Sequence, residues 1–270
     1  IYVMPYRLTS YKLRQIQKKK QRRRTIFVII IIVLFICCLG GILFFSPLFQ
    51  INSIAINSTH FVKMSDIFQK ATEQFKDQKL FNLITVPANL ILFTQADCKA
   101  IEKYFVALDS VDCQKIYIAK MLKIEAREKQ QIGILCSDSV IKNHGNCLYF
   151  DQNGIVFALA EEDDDFDHSL IAMQDVTNRI YQLGDKIISY DFSPVVKIKD
   201  ILANHQLILN KIEIDDHDVV YFFENGFKLL ISQEKLKETA NILPRLLEIE
   251  FDLQKLEYLD LRFLPKMYYK

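Results

Sequence analysis

The sequence predicts an α+β protein. We expect a single N-terminal transmembrane helix, a domain of order β-α-α-β-β, and then a mainly antiparallel β domain with flanking helices. Residues 26–45 form an apolar run of membrane-spanning length. Two amphipathic helical patterns lie between strand-like runs in residues 48–128. Two Asn-Gly pairs, which are typical of tight hairpin turns, punctuate residues 129–270.

The apolar run is long enough to cross a bilayer as a helix. About twenty helical residues, at roughly 1.5 Å each, span the hydrocarbon core of about 30 Å. A basic cluster precedes the run, and the next lysine is Lys63. Because cytoplasmic flanks are rich in Lys and Arg, we expect residues 1–24 to form a basic cytoplasmic tail, residues 25–46 the transmembrane helix, and the remainder to lie outside the cytoplasm. The cluster consists of Lys18, Lys19, Lys20, Arg22, Arg23 and Arg24.

A cleaved signal peptide is the alternative reading of the same run. Such a peptide has a shorter apolar region that ends in a cleavage site of small residues. This run ends in Phe44-Phe45-Ser46-Pro47, which is a poor cleavage site. The sequence therefore favours an uncleaved anchor.

Charge is distributed unevenly about the apolar run. Nine basic residues and no acidic residue precede it, so 25 of the 34 Lys and Arg residues follow it, against 33 acidic residues. The portion after the run therefore carries a formal charge of −8. A basic tail suits an anionic inner leaflet of the bilayer, whereas an acidic exterior argues against binding nucleic acid or another polyanion.

Residues 48–128 read as strand, helix, helix, strand and strand. The first strand has a slip at Asn52-Ser53 that indicates a bulge. Ser65 is expected to cap the first helix, and the second is expected to begin near Thr94. The apolar faces comprise Ile67, Ala71 and Phe75 in the first helix and Cys98, Ile101, Phe105 and Leu108 in the second. The alternating strand positions are Phe49, Ile51, Ile54 and Ile56, then Ile116 and Ile118, then Leu122, Ile124 and Ala126. Two helices covering one sheet face make a self-sufficient core.

Residues 129–270 read mainly as strands. The runs 131–136 and 147–150 are apolar and of strand length. The pairs Asn153-Gly154 and Asn225-Gly226 each predict a hairpin turn between two strands. Helices are predicted at 193–203 and 236–250, with Pro244 kinking the second.

The chain ends on aromatic residues that follow a strand pattern. Residues 258–263 are predicted to form the last long strand, and Phe263, Tyr268 and Tyr269 are expected on or beside it. Two readings remain open. The aromatic side chains pack inward as ordinary sheet residues, or they lie on an exposed edge that accepts the strand of a partner.

Four cysteines follow the apolar run, and two lie within it as apolar filler. An even number outside the cytoplasm permits two bridges in three connectivities. Cys136 and Cys147 flank a short loop between strand-like runs, which predicts a bridged hairpin. A Cys98–Cys113 pair is less favoured, because both positions also fit a buried core.

The polar residues show no catalytic motif. The chain has neither G-x-S-x-G, H-E-x-x-H nor C-x-x-C, and its five histidines form no ligand pair at helical spacing. The acidic cluster at 161–167 lacks the central Gly of an EF-hand and reads as a solvated loop. Ser139 and His144 lie close in sequence, but nothing nearby orients them as nucleophile and base. We therefore expect no catalytic residue, no metal site and no cofactor.

Five segments, in this order, resemble motifs of the FtsQ/DivIB family of bacterial cell-division proteins. Residues 49–57 resemble the first strand after the span, and Leu80-Phe81 resembles the "nlf" segment between the helices. Residues 122–128 (LKIEARE) resemble the strand usually written tl-x-I-x-V-x-E-R, without its preceding proline and with the Glu-Arg order reversed. Residues 149–157 (YFDQNGIVF) resemble the vD-x-x-G-x-vF hairpin, and residues 258–263 (YLDLRF) resemble the yiDlRf strand.

The resemblance implies a scaffold rather than a catalyst. Family members have a basic cytoplasmic tail, one span, a POTRA domain and a β domain, which here correspond to a POTRA-like domain at 48–128 and a β domain at 129–270. They are single-pass proteins of the cell membrane at the division septum, with the N-terminus in the cytoplasm. They bind bitopic coiled-coil division proteins (FtsB/DivIC and FtsL), contact other division-site membrane proteins, and link them to septal peptidoglycan synthesis.

The family also implies where partners bind. Its edge for FtsB follows the Asp-x-Arg motif, so Asp260 and Arg262 are expected to orient the strand here. The implied partner-binding residues are Phe263, Lys266, Met267, Tyr268 and Tyr269. Pro265 has no backbone N–H, which would interrupt pairing at that point.

Two other classes of function stay open. A membrane-anchored POTRA-type export or assembly component is less favoured, because no membrane β-barrel pattern follows and there is one POTRA-like unit. An envelope enzyme is the least favoured, because no polar constellation suggests catalysis.

Overall fold

The computed structural model describes residues 10–57, 59–76, 79–80, 84–85, 88–136, 147–160, 170–177, 179–248 and 255–270. Its architecture is mixed α+β, and the chain divides into two compact units. The first unit comprises Ile1–Asn57, Met64–Lys99 and Asp112–Glu125, and the second comprises Ser58–Lys63, Ala100–Val111 and Ala126–Lys270.

The N-terminal helix α1 runs without a break from Ser10 to Phe45. Its part from Lys18 to Phe45 is long and apolar enough to span a membrane. The basic residues that were expected in a separate tail belong to this same helix from Ser10 onward, because Lys, Arg and Gln are good helix formers.

Residues between the end of α1 and Glu128 follow the predicted order of strand, helix, helix, strand and strand, with a small hairpin added between the helices. The elements are β1 (Ser53–Ile56), α2 (Met64–Lys76), β2 (Lys79–Leu80), β3 (Ile84–Thr85), α3 (Gln95–Tyr104), β4 (Leu108–Ile116) and β5 (Met121–Glu128). Their three-stranded sheet has the order β1-β5-β4. β1 runs parallel to β5, and Ser53 lies opposite Met121.

The predicted apolar face of α2 is confirmed, since Ile67, Ala71 and Phe75 are its buried residues. Its predicted cap is wrong: the helix already begins at Met64, and the Ser65 hydroxyl donates to the Asp66 carboxylate.

Thr94 precedes α3 in a reciprocal capping arrangement. The backbone N–H and hydroxyl of Thr94 both donate to the Asp97 carboxylate, and the Thr94 carbonyl accepts from the Asp97 N–H. This helix ends at Tyr104, so two residues expected on its apolar face lie outside it: Phe105 follows the helix, and Leu108 begins β4.

The first predicted strand is divided between two partners. The Ile51 N–H donates to the Ala88 carbonyl (3.0 Å), and the Leu90 N–H donates to the Phe49 carbonyl (2.9 Å). From Ser53 onward the chain pairs with β5 instead. The slip read at Asn52-Ser53 is therefore the point where the chain changes its pairing partner.

The end of β5 holds the backbone of residues 60–62. The Glu128 carboxylate accepts hydrogen bonds from the N–H groups of His60 (2.8 Å), Phe61 (2.7 Å) and Val62 (2.9 Å). The Phe61 ring packs against the rings of Tyr149 and Phe157. A single carboxylate thus satisfies three adjacent donors, which would otherwise need water.

A nine-stranded sheet dominates the second unit, in the order β14-β13-β12-β11-β10-β9-β6-β7-β8. Five of its eight pairings are antiparallel and three are parallel. The sheet is therefore mainly antiparallel, as predicted. Its strands are β6 (Gly133–Cys136), β7 (Cys147–Phe150), β8 (Val156–Leu159), β9 (Ile171–Asp175), β10 (Leu209–Ile214), β11 (Asp218–Phe223), β12 (Lys228–Ser232), β13 (Tyr258–Asp260) and β14 (Tyr268–Tyr269).

Both Asn-Gly hairpins form. Gly154 (φ +69°) lies in the turn between β7 and β8, and Gly226 (φ +85°) lies in the turn between β11 and β12. Both glycines adopt the left-handed backbone that residues with a side chain rarely tolerate.

Two helices contribute to the main core of this unit. Helix α4 (Ser193–Asn204) begins next to Pro194 and buries Val195, Ile198 and Leu202. Helix α5 (Leu236–Glu248) continues through Pro244, where a kink was expected. Its buried residues are Leu236, Thr239, Ala240 and Leu243.

Four cysteines form two disulfides. Cys136 and Cys147 are bonded and lie opposite each other in the β6–β7 pairing, with Cα atoms 4.3 Å apart. Cys98 and Cys113, the less favoured pair in the sequence, are also bonded, with Cα atoms 6.3 Å apart. Burial of Cys98 thus accompanies a disulfide rather than replacing it.

Some sequence expectations concern residues outside the described ranges. They are the loop 137–146 with Ser139 and His144, the acidic cluster at 161–167, Phe81 of the "nlf" segment, and residues 249–250 at the end of the predicted helix.

Candidate partner-binding edge

The two C-terminal strands build one margin of the nine-stranded sheet. β13 runs parallel to β12, with Tyr258 opposite Lys228. β14 returns antiparallel to β13 and places Tyr268 opposite Asp260. Among the described residues, β14 is the outermost strand at this margin. We call β14 and the turn that precedes it, residues 261–267, the C-terminal edge.

A turn, rather than a strand, carries Phe263. The last long strand was predicted to extend to residue 263, but β13 ends at Asp260. The Leu261 N–H still donates to the Leu230 carbonyl (2.8 Å), after which the chain turns and the Lys266 N–H donates to the Phe263 carbonyl (3.0 Å). The peptide bond between Leu264 and Pro265 in this turn is cis.

Arg262 fastens the turn to two strands. Its Nε lies 3.0 Å from Asp260 Oδ1, and its Nη2 lies 2.7 Å from Asp260 Oδ2. Its Nη1 lies 2.8 Å from Asp218 Oδ2 at the start of β11. The guanidinium therefore forms a forked ion pair with one carboxylate and bridges to a second, a geometry that lysine cannot reproduce.

The ion pair between Asp260 and Arg262 favours the charged form of both residues. Burial raises the pKa of Asp260, but hydrogen bonds from the side chain and backbone of Arg262 outweigh it, so the net pKa is lowered. Hydrogen bonds to Asp260 and then to Asp218 raise the pKa of Arg262. Asp260 and Arg262 thus each stabilise the ionised form of the other.

Aromatic side chains extend from this network to the surface. The Arg262 guanidinium lies 5.5 Å from the centroid of the Phe263 ring. The Phe263 ring meets the Tyr268 ring edge-on, with centroids 6.0 Å apart and an interplanar angle of 86°. Phe263, Tyr268 and Tyr269 are each more than half exposed. The ion pairs thus support an exposed aromatic cluster.

The implied partner-binding residues do not all face the same way. Lys266 is exposed together with the three aromatic residues. Met267 instead packs, partly buried, against the main core. Met267 therefore secures the chain before β14, and the exposed residues are Phe263, Lys266, Tyr268 and Tyr269. The side chains of Tyr268 and Tyr269, which are consecutive in β14, lie on opposite faces of the sheet.

Asp218 is the member of the network that sequence reasoning did not identify. It opens β11, whereas Arg262 follows β13, and β12 lies between those two strands in the sheet. The neighbouring Asp215 and Asp216 make it resemble one more acid of a polar turn. An acid in a turn beside a hairpin strand was the only local signal, and it does not specify an arginine 44 residues away.

A small polar cavity of about 60 Å³ lies elsewhere in the second unit, near the ends of β9 and β10. Buried Asp175 accepts hydrogen bonds there from the hydroxyl groups of Thr177 and Tyr181. Burial, followed by the hydrogen bond to Asp175, raises the pKa of Tyr181, so the phenol stays protonated. Nowhere in the described ranges do three or more His, Cys, Asp or Glu side chains group as metal ligands. The hydrogen bonds of Asp175 with Thr177 and Tyr181 therefore stabilise the loop that follows β9.

Similarity to known proteins adds nothing to this picture, because no family model matches the chain and no curated protein matches its sequence. The C-terminal edge is therefore defined by its position in the sheet, its exposed aromatic side chains and the ion pairs beneath them.

Proposed function

We propose that this protein is a non-catalytic scaffold of the bacterial division site, anchored in the cell membrane by α1. It binds bitopic division proteins of the FtsB/DivIC and FtsL type and links them to septal peptidoglycan synthesis. The observation that carries this proposal is the C-terminal edge: an outermost strand beside exposed aromatic residues, on a turn held by ion pairs to two other strands.

Strand addition is the binding mode that suits this edge. An extended segment of a partner can pair with an outermost strand through its backbone, while side-chain contacts supply specificity. Phe263 and Tyr268 already contact each other, so little conformational freedom is lost when a partner covers them. Aromatic residues each bury about 150–250 Å² and are frequent hot spots of interfaces.

The membrane arrangement is supported by two features that do not depend on the edge. The basic cluster lies on the N-terminal side of the apolar run, which favours a cytoplasmic N-terminus. Both disulfides lie on the C-terminal side, and disulfides persist in oxidising compartments outside the cytoplasm. The two features thus favour the same orientation.

The family resemblance gives the scaffold its place in the cell. The Asp-x-Arg motif at Asp260 and Arg262 is the sequence feature that precedes the FtsB-binding edge in FtsQ/DivIB proteins. In this chain the same two residues form the ion pair that holds the turn. We therefore assign the C-terminal edge to a bitopic coiled-coil partner.

Binding is tested with the full chain in nanodiscs and the extracytoplasmic segment of the FtsB/DivIC-type protein of the same organism. We expect the double variant Phe263→Ala/Tyr268→Ala to raise the Kd by about thirtyfold or more, because losing a hot spot costs at least about 2 kcal/mol. Ile180→Ala is the matched control, since it also removes an exposed apolar side chain from the second unit. Unchanged affinity of the double variant, with a folded chain by circular dichroism, would rule out this edge as the binding site.

Cellular location tests the rest of the proposal. A fluorescent fusion is expected to form a band at the division plane during constriction. A uniform membrane signal throughout the cell cycle would contradict a role at the septum, even where the edge binds a partner.

A further inference from the structure

The turn between β4 and β5 exposes apolar side chains to solvent. We call residues 117–120 the hairpin tip. Ile118 is 100% exposed, and Tyr117 beside it is 49% exposed. A fully exposed isoleucine at this turn contributes nothing to the core.

The hairpin tip lies next to the residues that follow α1. The Tyr117 ring meets the Phe49 ring edge-on, with centroids 6.5 Å apart. The Asn52 N–H donates to the Lys120 carbonyl (2.9 Å). Both partners come within seven residues of the end of α1 at Phe45.

The chain between α1 and Phe49 is compact rather than extended. The Ser46 N–H donates to the Ile42 carbonyl (3.0 Å), and the Phe49 N–H donates to the Ser46 carbonyl (3.3 Å). Exposed Leu48 lies within this turn. The hairpin tip is therefore at the level where α1 ends.

Asn89 fastens the end of α1 to the same part of the fold. Its buried side-chain amide donates to the carbonyls of Leu43 (3.2 Å) and Phe44 (3.0 Å). These carbonyls belong to the last turn of the helix, where backbone acceptors have no partner within the helix. The Leu90 N–H adjoining Asn89 binds the Phe49 carbonyl. Helix end, turn and hairpin tip are thus connected by direct hydrogen bonds and one ring contact.

We propose that the hairpin tip inserts into the headgroup layer of the bilayer that α1 crosses, and so forms a second membrane contact of the extracytoplasmic part. This proposal rests on the membrane anchoring in the proposed function. Ile118 and Leu48 would enter the apolar boundary, and the Tyr117 and Phe49 rings would lie at headgroup level, where aromatic residues are favoured. Lys120, two residues after Ile118, can direct its ammonium toward lipid phosphates.

The absence of tryptophan from the sequence makes the test direct, since Ile118→Trp introduces a single tryptophan, which is excited at wavelengths where the 12 tyrosines absorb little. The full-length variant is reconstituted in vesicles of phosphatidylcholine and phosphatidylglycerol, with or without brominated phosphatidylcholine. Met64→Trp is the matched control, because Met64 is also exposed (49%). The start of β1 adjoins the hairpin tip, since Ser53 pairs with Met121, whereas Met64 begins α2, which follows the other end of β1. Flotation and resistance to alkaline extraction establish in each sample that α1 is inserted.

We expect brominated lipid to quench the fluorescence of the Ile118→Trp variant by at least about half and to leave that of the Met64→Trp variant unchanged. Aqueous iodide is expected to quench the Met64→Trp variant several-fold more strongly than the Ile118→Trp variant. Inserted chains in which iodide quenches both variants equally, without quenching by brominated lipid, would overturn this proposal and leave the anchor intact. Chains that do not float with the vesicles would overturn it together with the anchoring. Neither result concerns the C-terminal edge, whose binding is measured separately.

Discussion

At the scale of single residues, Arg262 decides how the C-terminal edge is held. Its guanidinium contacts two carboxylates and one aromatic ring, and it thereby joins the turn to β13 and β11. The carboxylate of Asp260 is almost completely buried, so it depends on this arginine for compensation. Removing one partner of such a pair costs more than the pair itself contributes, because a charge is left in a poorly hydrated place.

Replacing Arg262 by alanine is expected to destabilise the second unit by about 1–3 kcal/mol. This is less than the cost of breaking a fully buried ion pair, because the Arg262 side chain is partly exposed. The midpoint of thermal unfolding, followed by near-UV circular dichroism on the full chain in micelles, should fall by roughly 3–10 °C. Lys266→Ala, which removes an exposed cation of the same turn, should change the midpoint by less than about 2 °C. Equal midpoints for both variants would mean that the ion pairs contribute no stability.

The lowered pKa of Asp260 also predicts how the stability of the fold depends on pH. A carboxylate whose pKa is lower in the folded than in the unfolded state stabilises the fold above its unfolded pKa of about 3.9. That stabilisation is lost as the pH falls through the lower folded value. The difference in unfolding midpoint between wild type and Asp260→Asn should therefore be largest near pH 7 and shrink below about pH 4. Glu224→Gln, an exposed turn variant, controls for the change in net charge, and a difference independent of pH would contradict the coupling to Arg262.

At the scale of elements, helices with one clear apolar face and the strands of the two Asn-Gly hairpins could be predicted from the sequence, whereas the central strands β9 and β10 could not. The spacing of Ile67, Ala71 and Phe75 alone determines the buried side of α2. β9 was not predicted, because its burial on both faces gives five residues without alternation, which local pattern cannot distinguish from other apolar segments. β10 buries only Ile212 and Ile214, too few to show a period.

The candidate site likewise contains residues that local sequence pattern could identify and one that it could not. The aromatic cluster and the Asp-x-Arg pair are close in sequence, so local pattern could identify them. Asp218 could not be found, because its contact with Arg262 depends on β12 pairing with both β11 and β13. The exposure of Ile118 was equally hidden, since strand alternation places an isoleucine in a core as readily as at a tip.

Close packing around Gly133 provides a prediction for the sheet itself. A Cβ added there would lie 2.4 Å from the Ile171 carbonyl oxygen of β9 and 2.4 Å from Phe150 Cζ of β7. The Ile171 oxygen belongs to the backbone of a strand paired with β6, so it cannot move without disturbing that pairing, and the Phe150 ring is fully buried, so it can move only by repacking the core. We expect Gly133→Ala to destabilise the second unit by about 2–3 kcal/mol, measured by the same thermal midpoint. Gly40→Ala, where the added carbon meets no neighbour, should leave the midpoint unchanged.

At the scale of the whole molecule, charge and cysteine chemistry divide the chain at the same place. Nine basic residues and no acidic residue precede the apolar run, and all four bonded cysteines follow it. Cys37 and Cys38 lie within α1 and are free. The number of reactive thiols therefore reports which side of the membrane the C-terminal part occupies.

The orientation of α1 in the membrane can be read from the number of reactive thiols. After denaturation without reductant, maleimide-polyethylene glycol should add to two of the six cysteines of the wild-type chain, and to all six after reduction. Replacing the six basic residues at 18–20 and 22–24 by Gln removes most of the charge asymmetry that we propose orients α1, so on the order of half of the chains should insert in reverse. Those chains keep their cysteines in the reducing cytoplasm and should accept six adducts without reductant.

Changing Lys18, Lys19 and Lys20 to Arg preserves the charge and should preserve the two-adduct pattern. Six adducts on the wild-type chain would place its C-terminal part in the cytoplasm and contradict the scaffold proposal, whereas two adducts on the Gln variant would show that another feature orients the helix.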